Sequence, residues 1–320
     1  AEVPRSAIRY RHLTGAALGF DYHVGVAIEE LPPGKKTALA HYHILEEEHV
    51  FILEGAVTVR IGAASHEMKA GDYVCFPAGQ KAGHCMINNS GAVCRYVVVG
   101  ENNPNEVSVF TDSKKVLVRS LGRRAIYDMT TPRGYWDGEE TGFANPADAP
   151  RVISPPPEAP ANPKAPISVD QIAWEPWSEG TRFGGQVKHL TMAVMGRDYH
   201  VGMLIEEVAP GRQSCPFHYH LFEEEQALVL AGHGTLRLGD ETYEMKPWDY
   251  VCFPAGQRAG HCFINKGAEP FRYLMIGERK AHDVCVYPDS NKMLVRALDP
   301  AHDIFDMGAT KNYYDGEKTD

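Results

Sequence analysis

The sequence repeats itself after 177 residues, and both copies keep every group able to bind a metal. His41-Tyr42-His43, Glu48 and His84 return as His218-Tyr219-His220, Glu225 and His261. Between 41–88 and 218–265, 29 of 48 positions are identical, which marks an internal duplication. A duplication fixes the architecture before any local reading, because each copy must be one structural unit. A chain of 320 residues accommodates two domains of ordinary size. The expected division is a first unit over 1–142, a linker over 143–171 and a second unit over 172–320. The linker, FANPADAPRVISPPPEAPANPKAPISVDQ, is dense in proline, which forbids a regular ladder and favours an extended tether.

Each unit reads as all-β. HVFILEGAVTVRIG (49–62) and QALVLAGHGTLRLG (226–239) are short apolar runs rich in β-branched residues and punctuated by Gly. The runs ending in CFPAG close on a Pro-x-Gly turn. Helical periodicity is absent from the repeat core. Many short strands with Gly and Pro turns predict a closed barrel or jelly roll, which hides its edges and encloses an interior.

Side chains on a strand alternate faces, so His41 and His43 point the same way, as do His218 and His220. Glu48 and Glu225 follow past a turn that returns them to the barrel mouth. His84 and His261 open the strands HCMIN and HCFIN, where Asn88 and Asn265 share the inward phase. Three imidazoles and one carboxylate suit Mn, Fe, Ni, Zn or Cu as divalent ions, one per barrel. Four donors leave two positions of an octahedral ion for small molecules. A pair of histidines on a strand is usually only that. Here the same reading would also have to explain a glutamate, a third histidine and their recurrence.

Several neighbours are assigned less. Glu46, Glu47, Glu223 and Glu224 are expected to be exposed turn carboxylates. His23 and His200, in matching DYHVG segments, are expected to be hydrogen-bonded core histidines. Lys81 and Arg258 are read as solvated loop cations. Arg119 and Arg296, with Asp112 and Asp289, are read as structural ion pairs. Ala40 becomes Phe217 and Met86 becomes Phe263, which predicts the roomier pocket in the first unit.

A net charge of -10 argues against a nucleic-acid or anionic-membrane partner. No run of 18 apolar residues exists to span a membrane. The seven cysteines, odd in number and without a CxxC, read as reduced packing residues and so predict a cytoplasmic protein. A small-molecule ligand is the expected partner, with a homodimer possible.

These residues resemble the cupin superfamily. Its first motif fits His41, His43, Glu48, Gly55 and His218, His220, Glu225, Gly232. Its second fits Gly71, Pro77, Gly79, His84, Asn88 and, in the other copy, Pro254, Gly256, His261, Asn265. Two departures appear: the gap before the third His is four residues, and Trp248 replaces the leading Gly. The tails VFTDSKKVLVRSL…GYWDGEE and VYPDSNKMLVRAL…NYYDGEK resemble a bacterial subgroup labelled auxin-binding-like or sugar-phosphate-isomerase-like.

The resemblance implies two tandem cupin double-stranded β-helix barrels, with metal at each mouth. It disfavours an oxalate-decarboxylase type, which carries Arg where Ala38 and Cys215 stand. It also disfavours seed-storage proteins, which have lost the ligands, and gentisate-type dioxygenases, which lack the Glu. The expected function is a metal-dependent enzyme on a small oxygen-rich molecule, foremost a dioxygenase with Fe or Mn. The alternatives are an isomerase or lyase on a sugar or keto acid, and a non-catalytic ligand-binding barrel. Fold alone does not choose among them.

Overall fold

The computed structural model describes residues 8–122, 125–134, 137–138, 164–298, 303–313 and 315–316. Antiparallel strands dominate. Among the described residues the α-helices are two of six residues, Leu13–Leu18 and Leu190–Met195, at matching places in the repeat. Neither is long enough to cross a membrane.

In the first barrel one sheet runs Arg9–His12, Val24–Leu31, Cys94–Glu101, Glu48–Glu54, Asp72–Phe76, Ile167–Ser168. The facing sheet runs Ile126–Asp128, Lys115–Val118, Val107–Phe110, His41–His43, His84–Ile87, Ala56–Ile61, Ala64–Lys69. The second barrel repeats the first sheet as Glu175–Glu179, Phe183–His189, Val201–Val208, Phe271–Glu278, Glu225–Ala231, Tyr250–Phe253. Its facing strands include Tyr219–His220, Val284–Tyr287 and His261–Ile264, with His218 bridged to His261. The fold is the expected pair of jelly-roll barrels.

Strand alternation sorts each first sheet into two apolar faces. On Val24–Leu31 the inward residues are Gly25, Ala27, Glu29 and Leu31. The outward Val24 and Val26 join Val97, Val99, Met203, Ile205, Leu274 and Ile276 in one core shared by both barrels. The two large sheets therefore pack back to back. Each barrel has its own interior core, around Ile52, Val59 and Tyr96 in the first and Val229, Phe263 and Tyr273 in the second. Fully burying one such side chain contributes about 1.5–3 kcal/mol, so the shared face is a large part of what holds the barrels together.

Carboxylates brace that face reciprocally. Glu47 accepts hydrogen bonds from the backbone of His200 at 2.9 Å and Val201 at 3.1 Å. Glu224 accepts from His23 at 2.9 Å and Val24 at 3.1 Å. The expectation of exposed turn carboxylates is therefore corrected. Glu46, Glu47, Glu223 and Glu224 are all buried, because the other barrel or an arginine covers them. His23 and His200 are not core residues either. Each is about half exposed at the junction, held 2.8 Å from Glu278 and 3.1 Å from Glu101. The arginine pairs are also rewired. Arg119 binds Glu46 and Arg296 binds Glu223, while Asp112 and Asp289 pair with Arg60 and Arg237.

Two motif glycines have a clear physical reason. Gly55 and Gly232 sit at φ 79° and 75°, and a Cβ there would meet a backbone oxygen at 2.6 and 2.2 Å. Trp248 holds the left-handed conformation (φ 77°) that Gly71 adopts in the first barrel, an uncommon one for a bulky residue. Ile167–Ser168, within the expected linker, adds an edge strand to the first barrel at Asp72 and Tyr73. Residues 143–163 of that linker, and Tyr135, Trp136 and Tyr314 of the tail motifs, lie outside the described residues.

Candidate metal centres

The first centre forms where the facing sheets approach at the barrel mouth. His41 and His43 come from the strand His41–His43, and His41 pairs directly with His84. Glu48 opens the strand Glu48–Glu54 of the opposite sheet. Alternation puts both histidines of the short strand inward, and the turn at 44–47 brings Glu48 back over them. His84 Nε2 lies 2.9 Å and His43 Nε2 3.7 Å from Glu48 Oε2. Donor atoms of His41, His43 and Glu48 fall within 4.8 Å of one another. In the second barrel His218, His220 and His261 place Nε2 at 3.5, 3.4 and 3.0 Å from Glu225 Oε2.

All eight residues singled out by spacing thus converge as two groups of four. Donors bound to one ion at about 2.0–2.2 Å sit roughly 3 Å apart, so both sets need only small adjustment to hold a metal. The orientation of the rings fits as well. His41 Nδ1 is 2.8 Å from Leu39 O, and His218 Nδ1 is 2.9 Å from Pro216 O. His43 Nδ1 is 3.1 Å from Glu106, and His220 Nδ1 is 2.7 Å from Asp283. Each contact occupies Nδ1 and leaves Nε2 aimed at the glutamate, the arrangement that outer carboxylates and carbonyls give metal-binding histidines. His84 and His261 are held differently. Their Nδ1 atoms are buried without a partner, and their rings stack on Phe76 and Phe253 at 3.7 and 3.6 Å.

Electrostatics favours a cation here. Burial pushes Glu48 up, but the hydrogen bond to His84 and the nearby imidazoles overturn this and hold it at about 2. Glu225 is likewise held well below the usual range against its burial by His220, His218 and His261. Burial lowers His41, and it lowers His261 to about 4, so these rings favour the neutral form that binds metal. Against the effect of burial, His43 is raised by Glu106 and Glu48. A divalent ion would replace the protons that these rings share with the glutamate.

Sequence reasoning missed Glu106 and Asp283. Both are fully buried, and each also accepts backbone hydrogen bonds from the turn after the HxH strand. The signal was an acid at the same repeat offset before V-x-V. It also missed a carboxylate–tyrosine pair inside each barrel. Tyr96 donates to Glu29 at 2.5 Å, and Tyr273 donates to Glu206 at 2.7 Å. Burial raises Glu29, with Glu48 adding to the rise, and burial pushes Glu206 up to about 7. IEEL with CRYVVVGE, and IEEV with FRYLMIGE, carried that signal at inward phase.

Among the neighbours, two asparagines acquire a structural role and one expectation changes. Asn88 and Asn265 are fully buried, and their amides donate to Leu31 O and Val208 O, so they fasten loops. Phe217 does not narrow a cavity. It lies on the face opposite His218, under the Arg237 guanidinium and against Gly260. Phe263 does point inward, into the core with Tyr273.

A family model described as "Cupin domain" matches residues 27–100 and again 204–277. No curated protein matches the chain. Among solved structures, a candidate glyoxylate-induced protein from Pseudomonas aeruginosa is 17% identical. That alignment covers 87% of this chain and 84% of that one, with a TM-score of 0.57. An oxalate decarboxylase from Lactobacillus farciminis, solved as a formate complex, is 16% identical over 87% and 85%, with a TM-score of 0.53. At such identity both similarities speak for the fold alone. A candidate sugar phosphate isomerase from Acidithiobacillus ferrooxidans is 35% identical over 40% of this chain and 80% of its own, with a TM-score of 0.38.

Proposed function

Because the chain belongs to the cupin superfamily and carries its barrel twice, we propose that it is a metal-dependent enzyme acting on a small, oxygen-rich, enolisable molecule. His41, His43, Glu48 and His84 would hold one ion, and His218, His220, Glu225 and His261 a second. The mixed nitrogen and oxygen set favours Fe or Mn, with Zn, Ni and Cu also accommodated. A bound ion would supply Lewis acidity toward adjacent substrate oxygens and, if redox-active, dioxygen chemistry.

The observation that carries this reading is Glu29. It lines a cavity whose wall includes Gly100, the in-register strand partner of Glu48. Burial raises Glu29 above the usual carboxylate value, the direction that suits a general base. Tyr96 fixes one of its oxygens and leaves the other to meet a substrate C–H or O–H. Glu206 and Tyr273 repeat the pair. Enolisation is the step that a dioxygenase and an isomerase share, and the dioxygenase is the form we favour.

The test uses protein loaded with Fe or Mn and a panel of catechols, 1,2-diketones, flavonols and hydroxyketones. Oxygen uptake is followed in air, and deuterium incorporation from heavy water is followed without air. Glu29→Gln should keep its metal and lose about 10²–10⁴-fold in rate. Uptake supports the dioxygenase, exchange without uptake supports an isomerase, and neither across the panel defeats catalysis.

A further inference from the structure

The inward faces of Val24–Leu31 and Cys94–Glu101 form a ladder of cross-strand pairs: Gly25 with Gly100, Ala27 with Val98, Glu29 with Tyr96. The second barrel repeats it as Gly202 with Gly277, Leu204 with Met275, Glu206 with Tyr273. Of these three rungs only the middle one differs; the next, Leu31 with Cys94, becomes Val208 with Phe271 deeper in the core. In the first barrel the middle rung is small, and a cavity of about 340 Å³ opens over it, lined by His12, Tyr22, Ala27, Glu29, Val98 and Gly100 among others. A Cβ at Gly100 would meet open space, whereas one at Gly277 would already touch the Glu225 side chain. Leu204 and Met275 project where the first barrel has Ala27 and Val98.

The cavity lining is selective in charge. Glu29 faces it, the Glu101 carboxylate is turned away to the Glu47 amide and His200 at the junction, and no Lys or Arg is among its described lining residues. Arg119, the cation that acts on Tyr22, is engaged by both oxygens of Glu46 and by Asn103 O. The hydrogen-bonding groups are matched to hydroxyls. The Gly15 amide donates to His12 Nδ1 at 2.7 Å, so the neutral ring carries its proton on Nε2 and donates to Tyr22 Oη at 3.1 Å. The Tyr22 O–H is then left to donate into the cavity, while Glu29 accepts. Separate hydroxyls of one polyhydroxylated molecule can meet the two groups. A phosphate only accepts and is dianionic, so beside the Glu29 carboxylate, with no cation lining the cavity, it meets like-charge repulsion. The second barrel differs here too: Arg279 and Lys280 stand where the first has Asn102 and Asn103.

We infer that the first barrel selects an uncharged, polyhydroxylated carbonyl compound and rejects its phosphate ester, with the Ala27–Val98 rung and Asn102 as the determinants. This rests on the proposed function for the location of the reacting end, but its test is binding and needs no turnover. Zinc-loaded full-length protein is titrated calorimetrically with three matched pairs: dihydroxyacetone, ribose and glucose, each against its terminal phosphate. Metal content and circular dichroism are followed in parallel.

At least one neutral member should bind tenfold or more tightly than its phosphate. Ala27→Leu with Val98→Met should weaken that binding at least tenfold with both metals retained. Asn102→Arg, at an exposed position that tolerates change, should narrow the gap between the pair. Phosphates binding as well as or better than the neutral sugars would overturn the inference. So would neutral binding that ignores both variants, or no binding by any neutral sugar. Selective binding to the zinc protein without turnover by the iron or manganese protein would instead defeat the proposed function and leave this inference standing.

Discussion

The two barrels agree in the polar braces that cross their junction and part along the walls of their cavities. Glu47 and Glu224 make the same pair of bonds across the junction, at the same distances. Thr14 and Thr191 each join a hydroxyl chain with the partner barrel's tyrosine. Even there one link has drifted: His49 contacts Tyr73 at 2.6 Å where Gln226 contacts Tyr250 at 2.5 Å. The hydrogen-bonding role survived a change of residue, because the buried tyrosine hydroxyl needs some partner. By contrast the middle rung of the ladder, Asn102 against Arg279, and Ser108 against Cys285 face one barrel's interior or mouth only. The lesson is that the duplicated barrels keep their donor set and the polar braces of the junction, while the shared core changes only among apolar residues (Val26 to Met203, Val97 to Leu274) and the cavity wall changes in size and charge.

The sharpest way to break that comparison is to remove one donor at a time. His84→Ala should empty the first centre and His261→Ala the second, each lowering metal content from two ions per chain to one. Loss of a donor should exceed the 10–100-fold cost of losing an outer hydrogen-bonding partner. Metal analysis of both variants decides it. If either substitution strips both ions, the centres are not independent and the duplicated-site reading fails.

Acid–base behaviour gives the next largest contrast. Glu206 is pushed up to about 7 from 4.5, chiefly by burial. A carboxyl raised on folding favours the protonated protein. Its contribution to stability is therefore complete below pH 4.5 and is lost as pH rises through about 7. A shift of that size corresponds to about 3 kcal/mol. Denaturation of metal-free protein should show this loss between pH 4.5 and 7, and Glu206→Gln should remove that part of the slope. Glu29→Gln should act in the same direction, since Glu29 is also raised. Parallel profiles for wild type and Glu206→Gln would mean that water reaches Glu206 and that the second barrel is less filled than its rung implies.

Glu47→Ala and Glu224→Ala test the shared part. Each removes an ionised acceptor from two backbone amides, which should cost roughly 1.5–3 kcal/mol. Glu47→Ala should cost the more of the two, because His49 holds Glu47 below the usual range against its burial whereas burial raises Glu224. Thermal unfolding that separates into two transitions in either variant would show that these braces make the barrels unfold together.

Much of the metal centre was legible in the sequence because its determinants are local. The phase of a strand aims His41 and His43 together, and the repeat supplies the control that singles out Glu48 and His84. What escaped was set by the third dimension. Glu106 reaches His43 from the neighbouring strand, 63 residues away. Glu47 looked exposed because the backbone it binds belongs to His200 and Val201 of the other barrel. Phe217 looked like a cavity wall because a change in size beside HxH is conspicuous, yet alternation turns it away from His218. The residues that do shape the cavity, Ala27 and Val98, are unremarkable in sequence and matter only because they face each other across paired strands.

The smallest expected effect concerns the sheet edges. In the first barrel Ile167–Ser168 pairs with the edge strand at Tyr73 and Asp72, and Ile167, Val169, Ile172 and Trp174 pack on the same core. Tyr73 and Cys75 are consequently fully buried. Tyr250 and Cys252, their counterparts, remain partly exposed at the end of their sheet, beside the exposed Trp248. An unpaired edge opens more readily, so amides of Tyr250–Phe253 should exchange with solvent about tenfold faster than those of Asp72–Phe76, a difference of roughly 1.4 kcal/mol in local opening. Hydrogen exchange read at peptide level is sufficient. Exchange that is slow at both edges and quickens at Tyr250–Phe253 on dilution would show a second copy covering that edge. Concentration-independent protection at both would mean that back-to-back packing, rather than the added strand, secures them, and the linker strand would then lose its assigned part in the difference between the barrels.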